Sequence, residues 1–238
     1  MPTAIRYSGQ LITRSSSTSL LDMTIKLYTY WRSSAAYRVR IALNLKRLAY
    51  EAVAVSLAPG ENEHRKDEYR AINPQMLVPF FDDGNVAIGQ SMAILEYLEE
   101  TFPEVSLLPK AEPFRSKVRA FCNIISCDVH PLNNLRVTNY VTEVLGASNE
   151  LKSDWYTHWI ATGFQAAEQM SVSYAHAGPY TFGKEVTLAD ALLVPQMYNA
   201  RRFDVPLGEY PRLVAVVDAC NELQAFKDAA PEAQPDCL

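Results

Sequence analysis

Residues 25–30, IKLYTY, alternate apolar and polar side chains and favour β-prone types, which predicts a strand. Over residues 36–46 the spacing becomes helical, with Val39, Ile41, Ala42, Leu43 and Leu45 on a broad apolar stripe. Alternation returns at residues 50–57, YEAVAVSL, a second predicted strand. The polar run APGENEHRKDEY that follows reads as a loop and a short helix. Residues 78–81 and 86–88 predict two short strands joined by a tight turn at Asp83-Gly84-Asn85. Ser91 then stands where it can cap a helix over residues 92–102, with Ile94, Leu95 and Leu98 inward. The order is β-α-β, a short helix, then β-β-α.

Pro103 and Pro109 interrupt the pattern, and from Glu112 it becomes wholly helical. Residues 112–127 and 133–145 predict helices, either separate or as one helix bent near Pro131. Residues 151–174 predict a long helix carrying Trp155, Trp159, Phe164 and Met170 as core. Residues 187–198 predict another, opened by a Thr187/Asp190 capping box, and residues 210–226 a last one. No strand is predicted after residue 112. The expected fold class is therefore α/β plus all-α: an α/β unit over residues 23–108 and a helical unit over residues 112–238, each of ordinary domain size.

Residues 1–22 break from this pattern, being Ser/Thr-rich and without an acid until Asp22. They read as an extension: an organelle transit peptide, a disordered tail, or sequence ahead of a true start at Met23. Composition elsewhere is that of a globular protein with a sizeable core, 48% hydrophobic and 21% charged. A net charge of -5 argues against a nucleic-acid partner, which needs a basic face. No apolar run approaches the ~18 residues of a membrane span. Cys122, Cys127, Cys220 and Cys237 form no CxxC and no metal-ligand cluster, so no metal is expected and the thiols read as reduced, in a cytoplasmic setting.

The candidate chemistry lies at WRSSAAYRVRIAL, residues 31–43. Ser33 and Ser34 stand where a strand passes through a short loop into a helix. The free amides and dipole there favour an anion, and a thiolate is one that a serine hydroxyl can hold. The plainer reading is that the two serines only cap the helix. Two further junctions have the same character. Val78-Pro79 opens a strand where proline cannot pair, so it ends a loop or is cis. Gln90-Ser91 opens a helix whose amides and side chains suit a carboxylate. His130 and Arg32 admit both readings too, as structural or solvated groups or as ligands of a substrate.

With these segments in view, the chain resembles the zeta-class glutathione transferases of the maleylacetoacetate isomerase type. The matching segments are WRSSAAYRVRIALNLK, AINPQMLVPFF, IGQSMAILEYLEE, CDVHPLNNLRV, TLADALLVPQMYNARRF and AFKDAAPEAQPD, within residues 25–236. The resemblance implies a thioredoxin-like domain followed by a helical domain, a homodimer, and glutathione as a cofactor returned unchanged. It implies that Ser33 and Ser34 hold the glutathione sulfur and carry catalysis. His64, Val78, Gln90, Ser91 and Asn133 or Asn134 bind the rest of the tripeptide. Arg202, with Arg32, faces the substrate carboxylates, and His130 and Arg136 match groups near the substrate in relatives that isomerise maleylpyruvate. The implied reaction is conversion of maleylacetoacetate to fumarylacetoacetate. The alternatives are maleylpyruvate isomerisation, conjugation or dehalogenation of small α-halo acids, and a non-enzymatic interaction module. One position departs from the pattern: Ala35 stands where the family motif has cysteine.

Overall fold

The computed structural model describes residues 24–237, so the reading of residues 1–22 as an extension falls outside it. The first unit runs β1 (Ile25–Thr29), α1 (Ser34–Leu45), β2 (Tyr50–Ala54), α2 (Asp67–Ile72), β3 (Phe80–Asp82), β4 (Ala87–Gly89) and α3 (Ser91–Thr101). Its sheet has the order β2-β1-β3-β4, with β1 parallel to β2 and the other pairs antiparallel. This is the expected thioredoxin-like arrangement. Gly84, at φ 82°, makes the β3–β4 turn, and the Asp83 carboxylate accepts from the amides of Asn85 and Val86. β2 ends at Ala54, short of the predicted 57, because the Ser56 amide and carbonyl both turn to Glu63 instead of the sheet.

Helices follow: α4 (Phe114–Asn123), α5 (Leu135–Asn139), α6 (Asn149–Val172), α7 (Leu188–Arg202), α8 (Pro211–Asn221) and α9 (Gln224–Ala229). The single bent helix over residues 112–145 does not form. α4 widens into π-helical turns over Ile124–Val129, residues 130–134 make a turn around Pro131, and α5 starts anew with Asn134 as its cap. The helix expected over residues 210–226 is two, split after Asn221, with Pro211 in the first turn of α8. Trp155 and Trp159 are only partly buried; the buried line of α6 is Tyr156, Ile160, Gly163, Phe164, Ala167 and Ser171. Gly163 is required there, since a Cβ would lie 2.1 Å from the Val129 side chain.

α1 is the central element, packed against α3, α7 and α9 and sharing one core with Ile25, Leu27 and Phe81 of the sheet. It is buried on every side from Ala36 to Leu43, including Arg38 and Arg40. The Thr187/Asp190 capping box forms as expected at the start of α7. Asp190 is fully buried, accepts from the amides of Thr181 and Thr187, and has its carboxyl pKa raised by that burial.

The segment that leaves α3 toward the helical unit is held to α1 by Lys46 and Glu99, an ion pair at 2.6 Å whose side chains are 1% and 4% exposed. Lys46 also donates to the carbonyls of Phe102 and Val105, and Glu99 accepts from the amides of Leu107 and Leu108. Glu99→Ala leaves a buried ammonium without its counter-charge, a change that costs about 3–5 kcal/mol. Urea unfolding should show that loss, while Lys46→Met/Glu99→Leu should remove the stranded charge yet stay less stable than the parent, because the Leu107 and Leu108 amides lose their acceptor.

Candidate active site

A cavity of about 790 Å³ opens between the sheet unit and the helices. Arg32, Ser33 and Ser34 line it from the β1–α1 turn. Ser33 is the N-cap of α1, its Oγ accepting from the Ala36 amide at 3.3 Å. Capping uses the oxygen as acceptor and leaves its O–H to donate, so the two readings of this serine coexist. Arg32 lies over the Trp31 ring, 4.9 Å from its centroid. The turn is held from beneath by Arg40, which donates to Thr29 Oγ1 (3.0 Å), to the carbonyls of Tyr30 (3.3 Å) and Trp31 (2.9 Å), and to Ala229 O (3.0 Å).

His64 and Val78 line a second wall. His64 Nδ1 lies 3.4 Å from Ser56 O, and partial burial lowers its pKa. The Val78-Pro79 peptide is cis, one of the two options open from sequence. Gln90 and Ser91 do not line the cavity. Ser91 is the first residue of α3 and not its cap; it is buried, and its Oγ accepts from Arg38 Nη1 at 3.3 Å. Gln90, at the cap position with φ 69°, reaches the cavity only through Gln75, to which its Nε2 donates at 2.7 Å. A positive φ on a residue with a Cβ is sparsely populated and needs such local support.

The helical unit supplies His130, Asn133 and Asn134 from the turn before α5, Arg136 from the first turn of α5, and Arg202 from the end of α7. Asn133 is 8% exposed, and neither of its side-chain polar atoms has a partner. Buried amides are seldom left so, which marks it as a group that a ligand would satisfy. Asn134 caps α5 through the Arg136 amide. Arg202 faces the cavity, whereas Arg201 pairs with Asp218 outside it. Behind Arg202 the Phe203 ring stacks on Tyr156 at 3.8 Å and 15°, and the Tyr156 hydroxyl donates to Asn133 O. Tyr156 was missed from sequence; its signal was the helical spacing to Ile160, Gly163 and Ala167.

The N-terminal part matches the family model "Glutathione S-transferase, N-terminal domain" over residues 27–106. A probable maleylacetoacetate isomerase from Vibrio cholerae is 47% identical over 215 residues, 90% of this chain and 99% of its own. The holo structure of a maleyl pyruvate isomerase, described as a bacterial zeta-class glutathione S-transferase, superposes with TM-score 0.86 at 48% identity, covering 90% of this chain and all of that one. The chain belongs to the zeta-class glutathione transferase family. A third relative, maleylacetoacetate isomerase from Anaeromyxobacter dehalogenans, has a structure with glutathione bound in its active site. It is 41% identical with TM-score 0.81, over 91% of this chain and 99% of that one.

In this zeta-class protein the cavity is cationic although the chain is acidic. Arg32, Arg65, Arg136, Lys152 and Arg202 line it against one acid, Glu143. Burial and the facing Arg32 charge lower the Arg202 pKa. No cysteine lines the cavity among the described residues. Cys122 and Cys220 lie in the core, where burial pushes their thiols up.

His130 keeps some solvent contact on its cavity edge, yet is otherwise enclosed. Burial first, and the nearby Arg38 guanidinium second, push its pKa down to about 3. Unfolded histidine takes up a proton below about 6.5 that folded His130 refuses, so stability falls as pH drops from about 6.5 toward 3. His130→Gln should flatten that decline, read as urea midpoints for both proteins at pH 7, 6, 5 and 4.

Proposed function

We propose that the protein isomerises maleylacetoacetate to fumarylacetoacetate with glutathione as its cofactor. The observation that carries this reading is the meeting of Ser33, at the start of α1, with Arg32 and Arg202, one from each unit, in one cavity. Asn133, buried with an unsatisfied amide, supports a polar ligand in the same place. In this reading residues 23–108 hold most of glutathione, the diacid lies between Arg32 and the helical unit of residues 112–238, and the enzyme is a cytoplasmic homodimer. Maleylpyruvate, a shorter diacid with the same double bond, is the second reading, favoured by the maleyl pyruvate isomerase among the relatives.

Bound glutathione supplies the sulfur nucleophile that adds reversibly to the cis double bond, so that the carbon skeleton can turn. The chain's own groups do the rest. Ser33 donates its O–H to the sulfur anion, and the free amides of α1 add their partial positive charge. Arg32 and Arg202 bind the two carboxylates, for which the planar guanidinium fork is suited. His130, held neutral, offers a hydrogen bond to the substrate without surrendering a proton. Where negative charge develops on the carbonyl oxygen, fixed donors already in place lower the barrier. No proton moves to or from carbon.

Isomerisation followed in the ultraviolet should need glutathione in catalytic amount only, with maleylacetoacetate turned over faster than maleylpyruvate. Full turnover in thiol-free buffer would sink the mechanism, and consumption of glutathione would mark a conjugating transferase instead. Ser33→Ala should lower the rate about 10- to 150-fold, the worth of a hydrogen bond to a charged group. Arg202→Lys cannot reproduce two parallel bonds to a carboxylate. It should raise KM for the diacid about 10-fold or more and leave the glutathione Kd unchanged.

A further inference from the structure

The segment AFKDAAPEAQPD has no part in the cavity, yet it touches both elements that carry the clamp arginines. Arg32 follows Trp31, whose amide donates to Asp236 Oδ2 at 2.9 Å across 205 residues of sequence. Arg202 lies one turn beyond Tyr198 on α7, and the Tyr198 hydroxyl donates to Glu232 Oε1 at 2.7 Å. Between these carboxylates the tail is stiff. Pro231 is buried and Pro235 lies between them, and the buried Gln234 Nε2 donates to the carbonyls of Asp228 and Ala230, both at 2.9 Å. The foot of the segment is fixed as well, since Arg40 Nε donates to Ala229 O.

We propose that the C-terminal tail is a brace that sets the separation of Arg32 and Arg202, with Asp236 and Tyr198 as its positioning residues. The inference rests on the reading of those arginines as the clamp for a diacid. Neither Asp236 nor Tyr198 lines the cavity. The two arginines carry like charge across an open space and repel, so nothing in the cavity itself holds them at a distance fit for two carboxylates. The turn bearing Arg32 has its Tyr30 and Trp31 carbonyls taken by Arg40 and its Ser33 amide by the Tyr30 carbonyl, and the Trp31 amide is taken by the tail. On α7, Tyr198 also meets Tyr37 edge-on at 6.4 Å, which fixes the ring, while its hydroxyl alone reaches the tail. A carboxylate accepting from a backbone amide is a charge-assisted bond with defined direction, which suits it to hold a turn in register. Loss of either end should let one arginine drift, and a misplacement of about 1 Å is enough to weaken a bound carboxylate pair strongly.

The test uses Asp236→Ala, Asp236→Asn, Tyr198→Phe and the double variant Asp236→Ala/Tyr198→Phe in the full chain, with kcat, diacid KM and amide hydrogen exchange measured on each. Asp236→Ala and Tyr198→Phe should each raise diacid KM about 10-fold. Asp236→Asn keeps an acceptor oxygen and should stay within about 3-fold of the parent. If one brace is broken at either end, the double variant should be no worse than the poorer single one. Exchange over residues 30–34 should quicken in Tyr198→Phe, although the substitution lies on α7 and keeps the ring against Tyr37. Unchanged KM in both single variants, or additive effects with no change in exchange at residues 30–34, would overturn the brace. A parent protein that turns over neither maleylacetoacetate nor maleylpyruvate would overturn the functional reading, and the exchange data would still decide the brace.

Discussion

The guanidinium of Arg40 is closed off from solvent and joins parts of the chain that are 189 residues apart. It lies in the middle of α1, on a helix surrounded by apolar neighbours, with no carboxylate bonded to it. Such a charge is tolerated inside a protein only when its donors are satisfied, and here three backbone carbonyls and the Thr29 hydroxyl do so. Burial lowers its pKa to about 10, which still leaves it charged at neutral pH. The geometry at the start of α1 follows from that arrangement. Two carbonyls of the turn are fixed, Ser33 falls at the cap, and Arg32 leaves the turn toward the cavity.

Local chemistry was legible in the sequence, and long-range chemistry was not. The Ser33 cap, the Thr187/Asp190 box and the Asp83-Gly84-Asn85 turn each depend on residues within three or four positions of one another, so the letters alone sufficed. The inward faces of α3, with Ile94, Leu95 and Leu98 at 0% exposure, followed from periodicity for the same reason. Arg38 and Arg40, on α1, are buried charges. Their burial depends on α7, α9 and Ser91, which no window of neighbouring residues contains. The split after Asn221 was hidden because apolar spacing continues through it to Phe226. On α6 Phe164 packs in the core as expected, whereas Trp155 and Trp159 lie beside the packed stripe that runs through Tyr156 and Ile160.

The site itself divides along the same line. Adjacent helical residues point apart, so Arg202 faces the cavity while Arg201 turns to Asp218. Asn133 and Asn134 could not be told apart, and the structure gives them different work, one a buried amide at the cavity and the other a helix cap. Gln90 and Ser91 sit one layer behind the cavity, an offset that depends on the positive φ of Gln90 and on Arg38 reaching across from α1. Arg32, Arg136 and Arg202 were expected near the substrate, but a net charge of -5 gave no sign that Arg65 and Lys152 join them in one cavity. A cleft of one sign on a molecule of the other raises the local concentration of an anionic ligand at its mouth.

Ala35, and a cavity lining without cysteine among the described residues, bear on the lifetime of the enzyme. Unsaturated ketoacids are alkylating agents, and a protein thiol beside them would sooner or later be capped for good. A site that borrows its nucleophile has no such fatal residue. An alkylated sulfur departs with the small molecule that carries it, and a fresh one takes its place. Wear falls on a replaceable part, and the polypeptide outlasts the reagent it handles.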